Sequence, residues 1–149
     1  MQGGDLSNEV TPRLLFVFEG TVGRLPSEAA ELKEKLYLKT KRWSKAVAQW
    51  EVPDRAYALL WDLTWRWNYR FDIVTFRPAG FAKELAVLFD EVSLPVGHVI
   101  ATTPKGLAQK LVYMPDVAHV YDADDSRLFT WGGRGRYMPG GLAAYDTLW

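Results

Sequence analysis

The amino-acid sequence predicts an α/β fold of three layers, in which helices cover both faces of a parallel β-sheet. Short apolar runs of strand length recur along the chain, and amphipathic stretches of helical period separate them. The strand-like runs are apolar throughout, which is typical of strands that are covered on both faces. Strands that alternate with helices in this way form parallel sheets joined by right-handed crossovers.

A single domain is expected from residue 13 to residue 149, because the chain has 149 residues and its sequence shows no repeat, low-complexity tract or linker. Residues 1–12 are polar and predict a flexible N-terminal leader. The first strand is the apolar run Arg13–Phe18, which leads directly into the sequence Glu-Gly-Thr.

Two helices are predicted before the second strand. The first extends from Ser27, a favourable capping residue, to about Trp50. Its acidic residues lie early and its basic residues late, as the helix dipole favours. The second extends from Pro53 to Trp67. Their predicted inner stripes are, in the first helix, Leu32, Leu36, Trp43 and Val47 and, in the second, Ala56, Leu59, Leu60, Leu63 and Trp67.

The remainder of the chain continues the alternation of strands and helices. Strands are predicted at residues 71–76, 97–101 and 117–121, and helices at residues 78–90 and 105–113. The segment beyond these elements is rich in glycine and predicts a loop-rich tail with room for one short edge element.

The composition excludes several classes of function. Lys plus Arg total 18 and Asp plus Glu total 18, so no net charge favours nucleic acid or an anionic membrane. Cysteine is absent, which excludes disulfides, thiolate catalysis and cysteine zinc sites. No apolar run approaches the ~20 residues that span a bilayer, and no secretory signal is visible. We therefore expect a cytoplasmic protein without a membrane partner, whose two histidines, His98 and His119, lie in strands.

Polar residues follow the predicted strands at the edge where open α/β sheets bind ligands. The segments concerned are Val17–Thr21 after the first strand, Thr75–Pro78 after the second, Thr102–Lys105 after the third and Asp122–Arg127 after the fourth. Because the carboxyl ends of parallel strands share one edge, we expect any functional site to be formed by these four segments.

These segments carry a resemblance to a known family. The run Phe16–Val22, FVFEGTV, resembles the first signature of the haloacid dehalogenase (HAD) superfamily, an apolar strand followed by Asp-x-Asp-Gly-Thr. Thr75 resembles the second motif, Lys105 or alternatively Lys110 the third, and the acidic cluster from Asp122 the fourth. The resemblance implies a three-layer Rossmann-like HAD fold with a minimal cap or none. Small divergent HAD-like proteins are encoded by bacteriophages and actinobacteria, so the resemblance suggests a phage or bacterial protein, which would work in the host cytoplasm if a phage encodes it.

The departures from the family pattern concern catalysis. Val17 stands where the family has the Asp that attacks phosphorus, and an isopropyl group has no lone pair with which to form an aspartyl-phosphate. Glu19 stands where the family has its general acid/base, and a glutamate can still move a proton. The resemblance thus implies a degenerate HAD site at Val17, Glu19, Thr75, Lys105 and Asp122, with no nucleophile.

Metal binding is weakened by the same change. HAD proteins hold magnesium through the first Asp, a backbone carbonyl and an acid of the fourth motif, and magnesium requires near-octahedral oxygen ligands. A carbonyl and the acids Asp122, Asp124 and Asp125 remain here. We expect a weak magnesium site at most, and no other cofactor.

Three functions are compatible with this sequence. The first is a pseudoenzyme, a catalytically degenerate HAD-like protein that binds a protein partner or a second copy of itself, with Trp43 and Trp50 of the first helix as the contact surface. The alternative is a divergent magnesium-dependent HAD phosphohydrolase in which water is the nucleophile. The third is a nucleic-acid-binding module that uses the basic residues and aromatics of the same helix. For that helix we favour a solvated charged face, since glutamates offset its lysines.

Overall fold

A sheet of five parallel strands forms the centre of the computed structural model, which describes residues 12–146. The strands are β1 (Arg13–Val17), β2 (Arg70–Thr75), β3 (Val99–Ala101), β4 (Val117–Asp122) and β5 (Gly135–Tyr137). Their order is β3-β2-β1-β4-β5, so the first strand is central. The short strand β5 is the edge element for which the sequence left room.

Helices connect the strands. They are α1 (Glu28–Lys39), α2 (Trp43–Ala48), α3 (Asp54–Trp65), α4 (Ala79–Glu91) and α5 (Pro104–Leu111). An irregular turn at Phe18–Val22, in which Glu19 and Gly20 depart from helical backbone angles, follows β1. Segments of 3-10 helix cover Asp125–Arg134 and Leu142–Ala144. None of the helices within residues 12–146 is long and apolar enough to cross a membrane.

Two apolar clusters cover the two faces of the sheet. Leu14 and Phe16 of β1 pack with residues of α2, α3 and α4 on one face. Leu15 and Val17 pack with residues of α5 and with Trp131 on the other. Successive side chains of a strand point to opposite faces, so a central strand contributes to both clusters. The predicted three-layer α/β fold is confirmed.

The first predicted helix is two helices in the structure. Between α1 and α2 the backbone of Lys41 adopts a left-handed conformation, with φ of 58°, which ends a helical run. The inner stripe predicted for this segment was wrong in part, because Leu32 and Leu36 are 70% and 56% exposed. Glu34 is buried on the inner side of α1 in place of these leucines. Its carboxylate pairs there with the guanidinium of Arg77.

The later helices follow the prediction closely, with one correction. The apolar stripe of α3 is buried at Ala56, Leu59, Leu60 and Leu63. Trp67 is not part of it, because α3 ends at Trp65 and leaves Trp67 45% exposed.

The prediction that both histidines lie in strands was wrong for one of them. His98 precedes β3 and is exposed, so only His119 lies in a strand, as a half-buried residue of β4.

The interval between β1 and β2, where the HAD resemblance implies that a cap would be inserted, holds α1, α2 and α3. Ala46 and Val47 of α2 belong to the main apolar cluster, so this segment packs on the domain and forms no separate cap. The predicted leader lies outside the described residues apart from Pro12.

Candidate functional site

The ends of the central strands meet at one edge of the sheet. Val17 of β1 lies in register with Val74 of β2, and Phe16 lies in register with Tyr121 of β4. The segments that follow β1, β2 and β4 are therefore neighbours. This is the edge at which open α/β sheets bind their ligands.

Val17 is the last residue of β1 and has no solvent exposure. It belongs to the apolar cluster on the α5 face, together with Val74 and Leu107, and Phe76 packs against the same cluster. Burial of a valine side chain stabilises a fold by about 1.5–3 kcal/mol. Position 17 therefore contributes packing, and it offers no atom that can attack phosphorus.

Glu19 joins the segment after β1 to the segment after β2. Its Oε2 accepts a hydrogen bond from Thr75 Oγ1 at 2.5 Å, and its Oε1 accepts one from the Phe76 backbone N–H at 2.9 Å. Burial raises the pKa of Glu19, while these two hydrogen bonds and the charge of Arg77 act to lower it. The carboxyl group is thus fixed in orientation and engaged on both oxygens.

The turn after Glu19 depends on glycine. Gly20 has φ of 88°, a left-handed conformation that side-chain-bearing residues rarely adopt. Thr21 then accepts a hydrogen bond on Oγ1 from the Ala123 backbone N–H at 2.9 Å, which joins this turn to the segment after β4. The Gly-Thr pair of the first motif has a structural role here.

Asp122 ends β4 with no solvent exposure and forms a bidentate pair with Arg127. Arg127 donates from Nε to Oδ2 at 2.8 Å and from Nη2 to Oδ1 at 2.9 Å. The Asp124 backbone N–H also donates to Oδ1, at 3.0 Å. Burial acts to lower the pKa of Arg127, but the hydrogen bonds to Asp122 and its charge raise that pKa above its ordinary value. Both oxygens of Asp122 are therefore engaged.

An aromatic layer holds the guanidinium of Arg127. Its Cζ atom lies 4.8 Å from the centroid of the Phe76 ring, within cation–π distance. The Phe76 ring stacks in turn on Trp131, with centroids 6.4 Å apart. Phe76 follows β2 and Arg127 follows β4, so this layer connects the two segments that flank β1.

The other acids of the predicted magnesium site are partly used or exposed. Asp124 accepts hydrogen bonds from the Ser126 backbone N–H at 3.0 Å and from Ser126 Oγ at 2.6 Å, and these bonds lower its pKa. Its Oδ2 lies 3.8 Å from Arg127. Asp125 is exposed at the start of the 3-10 segment.

The lysine of the predicted third motif stays outside this network. Lys105 lies in the first turn of α5 and is exposed, and Lys110 is exposed near the end of the same helix. Neither lysine side chain forms a hydrogen bond or an ion pair within residues 12–146. The structure thus brings Glu19, Thr75 and the segment after Asp122 together without a lysine.

The donor set does not fit the magnesium ion that the HAD resemblance implies. Within the described part of the chain, no group of three or more Asp, Glu or His side chains is placed to hold a metal ion. Position 17 presents hydrocarbon, and both oxygens of Asp122 already accept hydrogen bonds. The weak magnesium site at Asp122, Asp124 and Asp125 stays a prediction that this geometry does not favour.

A second buried ion pair at this edge was not predicted from the sequence. Glu34 of α1 is 3% exposed and accepts hydrogen bonds from Arg77 Nε at 3.0 Å and Arg77 Nη2 at 3.1 Å. Trp50 Nε1 also donates to Glu34, at 2.6 Å. Burial acts to lower the pKa of Arg77, but the hydrogen bonds and charge of Glu34 raise it. A second guanidinium–carboxylate pair therefore ties α1 to the segment after β2.

No protein-family model and no curated protein matches this sequence. Among solved structures, the chain is similar to the HAD domain of the effector protein Lem4 from Legionella pneumophila, solved as an inactive mutant. The similarity covers 93% of this chain and 89% of that one, with a TM-score of 0.55 and 11% sequence identity. The chain has the fold of a HAD domain. At this identity the likeness concerns the HAD fold alone, and it gives no support to the phage origin that the sequence suggested.

Proposed function

We propose that this chain is a catalytically silent HAD-fold domain that acts by binding a protein, and that a second copy of the chain is the first partner to test. The observation that carries the proposal is Val17. A fully buried hydrocarbon side chain ends the central strand of a HAD fold at the position of the attacking carboxylate. Covalent phosphoryl transfer requires a nucleophile, and position 17 supplies none.

The remaining polar groups at this edge support the same reading. The carboxylates of Glu19, Glu34 and Asp122 each accept at least two hydrogen bonds from neighbouring protein groups. Such groups hold the loops after β1, β2 and β4 in place. We therefore assign them a structural role in a rigid binding domain.

A surface suited to binding lies at the C-terminal end of α3 and in the turn that follows it. Trp61, Trp65 and Trp67, which we call the tryptophan face, are 37%, 68% and 45% exposed, and the rings of Trp61 and Trp65 lie 6.3 Å apart. Exposed tryptophans are enriched at binding hot spots. The contact surface expected at Trp43 and Trp50 is not supported, because both are half-buried and pack against the main cluster.

The catalytic part of the proposal is tested by incubating the protein with millimolar magnesium and a generic aryl phosphate. We expect no turnover above the buffer background, and the same rate for the Glu19→Gln variant. Robust turnover that falls in Glu19→Gln would favour the alternative, a divergent phosphohydrolase. The observation behind that alternative is that Glu19 and Thr75 meet the segment after β4 at one edge of the sheet.

The binding part is tested by sedimentation equilibrium over a range of protein concentrations. We expect self-association that weakens at least ~10-fold in Trp65→Ser, because a hot-spot tryptophan contributes about 2 kcal/mol or more. Tyr113→Ser is the matched control, since Tyr113 is an 86% exposed aromatic beyond α5, on the other side of the sheet. Equal weakening in both variants would count against the tryptophan face.

Nucleic-acid binding through the basic residues of α1 and α2 is not favoured. Stacking requires exposed aromatic rings, but Tyr37, Trp43 and Trp50 pack against the main cluster. A gel shift at low salt is the simple test, and we expect none.

A further inference from the structure

We infer that Arg127 supplies, from within the chain, the positive charge that a HAD fold otherwise takes from a bound magnesium ion. The inference rests on the proposed function and deepens it, because it explains how the buried carboxylate of Asp122 is stabilised without a metal ion. Asp122 has no solvent exposure and ends the strand next to β1. An ionised carboxylate in such a place requires a counter-charge.

The guanidinium of Arg127 meets that requirement geometrically. Two of its N–H groups, on Nε and Nη2, reach the two oxygens of Asp122 at 2.8 and 2.9 Å, the fork that matches a carboxylate. The guanidinium carries its charge at every physiological pH. Phe76 contacts its face at 4.8 Å, so the group is held from a second direction.

A divalent cation would have to displace this guanidinium from Asp122. It would gain no ligand from Val17, which is hydrocarbon, and Asp124 already accepts two hydrogen bonds from Ser126. Magnesium prefers several oxygen ligands in octahedral arrangement. The folded protein is therefore indifferent to magnesium while Arg127 is present, and it becomes sensitive to magnesium when Arg127 is removed.

Thermal unfolding without substrate tests this inference, in EDTA and in millimolar magnesium. The wild-type Tm is expected to be the same in both. Arg127→Met should lower the Tm by about 10 °C, because the buried carboxylate loses its partner. Magnesium should raise the Tm of that variant by a few degrees, because a cation can then reach Asp122. Arg127→Lys should recover part of the loss in EDTA.

Two controls make the result specific. Arg24→Met removes an ion pair with Glu51 in which both side chains are largely exposed, and its Tm should hardly change. The double variant Asp122→Asn/Arg127→Met should be more stable than Arg127→Met and should not respond to magnesium.

Any of three results would overturn the inference. One is a wild-type Tm that rises with magnesium and loses this response in Asp122→Asn. The others are an Arg127→Met variant as stable as wild type, or one whose Tm magnesium leaves unchanged. Because no substrate is present, these outcomes are separate from phosphoryl transfer from a substrate, which would overturn catalytic silence and leave this inference to its own test.

Discussion

Replacing Val17 by Asp restores the carboxylate of the HAD signature, and we expect the variant to be less stable and still inactive. The side chain lies at the end of the central strand, fully buried among apolar residues of β2 and α5. A carboxyl group placed there loses its hydration and faces hydrocarbon. Asp122 would remain bound to Arg127, so the second acid of the site stays engaged.

The expected destabilisation has two parts. Losing the buried valine and burying a polar group with no partner costs about 2–5 kcal/mol, and Val17→Asn should show this part alone. The charge adds the second part, because burial raises the pKa of the new Asp above its unfolded value. Each pKa unit of that rise adds about 1.4 kcal/mol once the group ionises.

The sign of the pH dependence follows from linkage. When folding raises the pKa of an acid, the folded protein loses stability as pH rises from the pKa of the unfolded state to the pKa of the folded state. The gap between Val17→Asp and Val17→Asn is therefore expected to be small near pH 4 and to widen toward pH 8. Urea unfolding at several pH values measures this gap. An Asp variant as stable as the Asn variant at pH 8 would refute the reasoning, because it would mean that water or Arg127 reaches position 17.

The remaining predictions concern other carboxylates. Glu34→Ala should destabilise the protein by about 2–4 kcal/mol in urea unfolding, because the guanidinium of Arg77 and the indole of Trp50 lose their hydrogen-bond acceptor. The control Glu31→Ala alters an exposed residue of the same helix and should change stability by less than about 0.5 kcal/mol. Because burial raises the pKa of Glu19, wild-type stability should fall as pH rises through that pKa, and the stability of Glu19→Gln relative to wild type should increase from pH 5 to pH 8 in the same assay. Asp72→Asn removes the negative charge from the 2.7 Å ion pair with Arg13 and should lower stability by about 1–3 kcal/mol. An unchanged urea midpoint would contradict this prediction.

The sequence was sufficient for the elements whose burial depends on local pattern. Burial follows directly from the sequence pattern in the strands β1, β2 and β4 and in the helices α3, α4 and α5. Each of these elements has an apolar face that must be covered by the core, so its position could be predicted from the hydrophobic period alone. Val17 was likewise visible as a departure from the first motif, because the strand before it was clear.

The inward face of α1 was not readable in the same way. Leu32 and Leu36 have the right spacing for a buried stripe, yet they are exposed. Glu34 is buried because Arg77 and Trp50, which are distant in sequence, supply its partners. The hydrophobic period of a helix predicts that a glutamate lies on the solvent side, because the period reflects hydrophobicity alone and carries no information on tertiary ion pairs.

Arg127 was overlooked for a related reason. The acids after β4 suggested a cation site or a helix cap, and an arginine five positions after Asp122 is not at a helical neighbour spacing. The chain bends at Ala123 and then enters the 3-10 helix, whose first turn holds Arg127 and places its guanidinium on the carboxylate of Asp122. An arginine close behind an acidic strand end is a signal that sequence analysis can use in other divergent HAD folds.

The central claim is that this HAD fold, with hydrocarbon at position 17, forms no phosphoryl-protein intermediate, and intact-mass spectrometry tests it most directly. The protein is incubated with magnesium and acetyl phosphate, then acidified to preserve any acyl phosphate and weighed. The account predicts the unmodified mass for wild type. A magnesium-dependent gain of one phosphoryl group that disappears in Glu19→Gln or Asp122→Asn would contradict it.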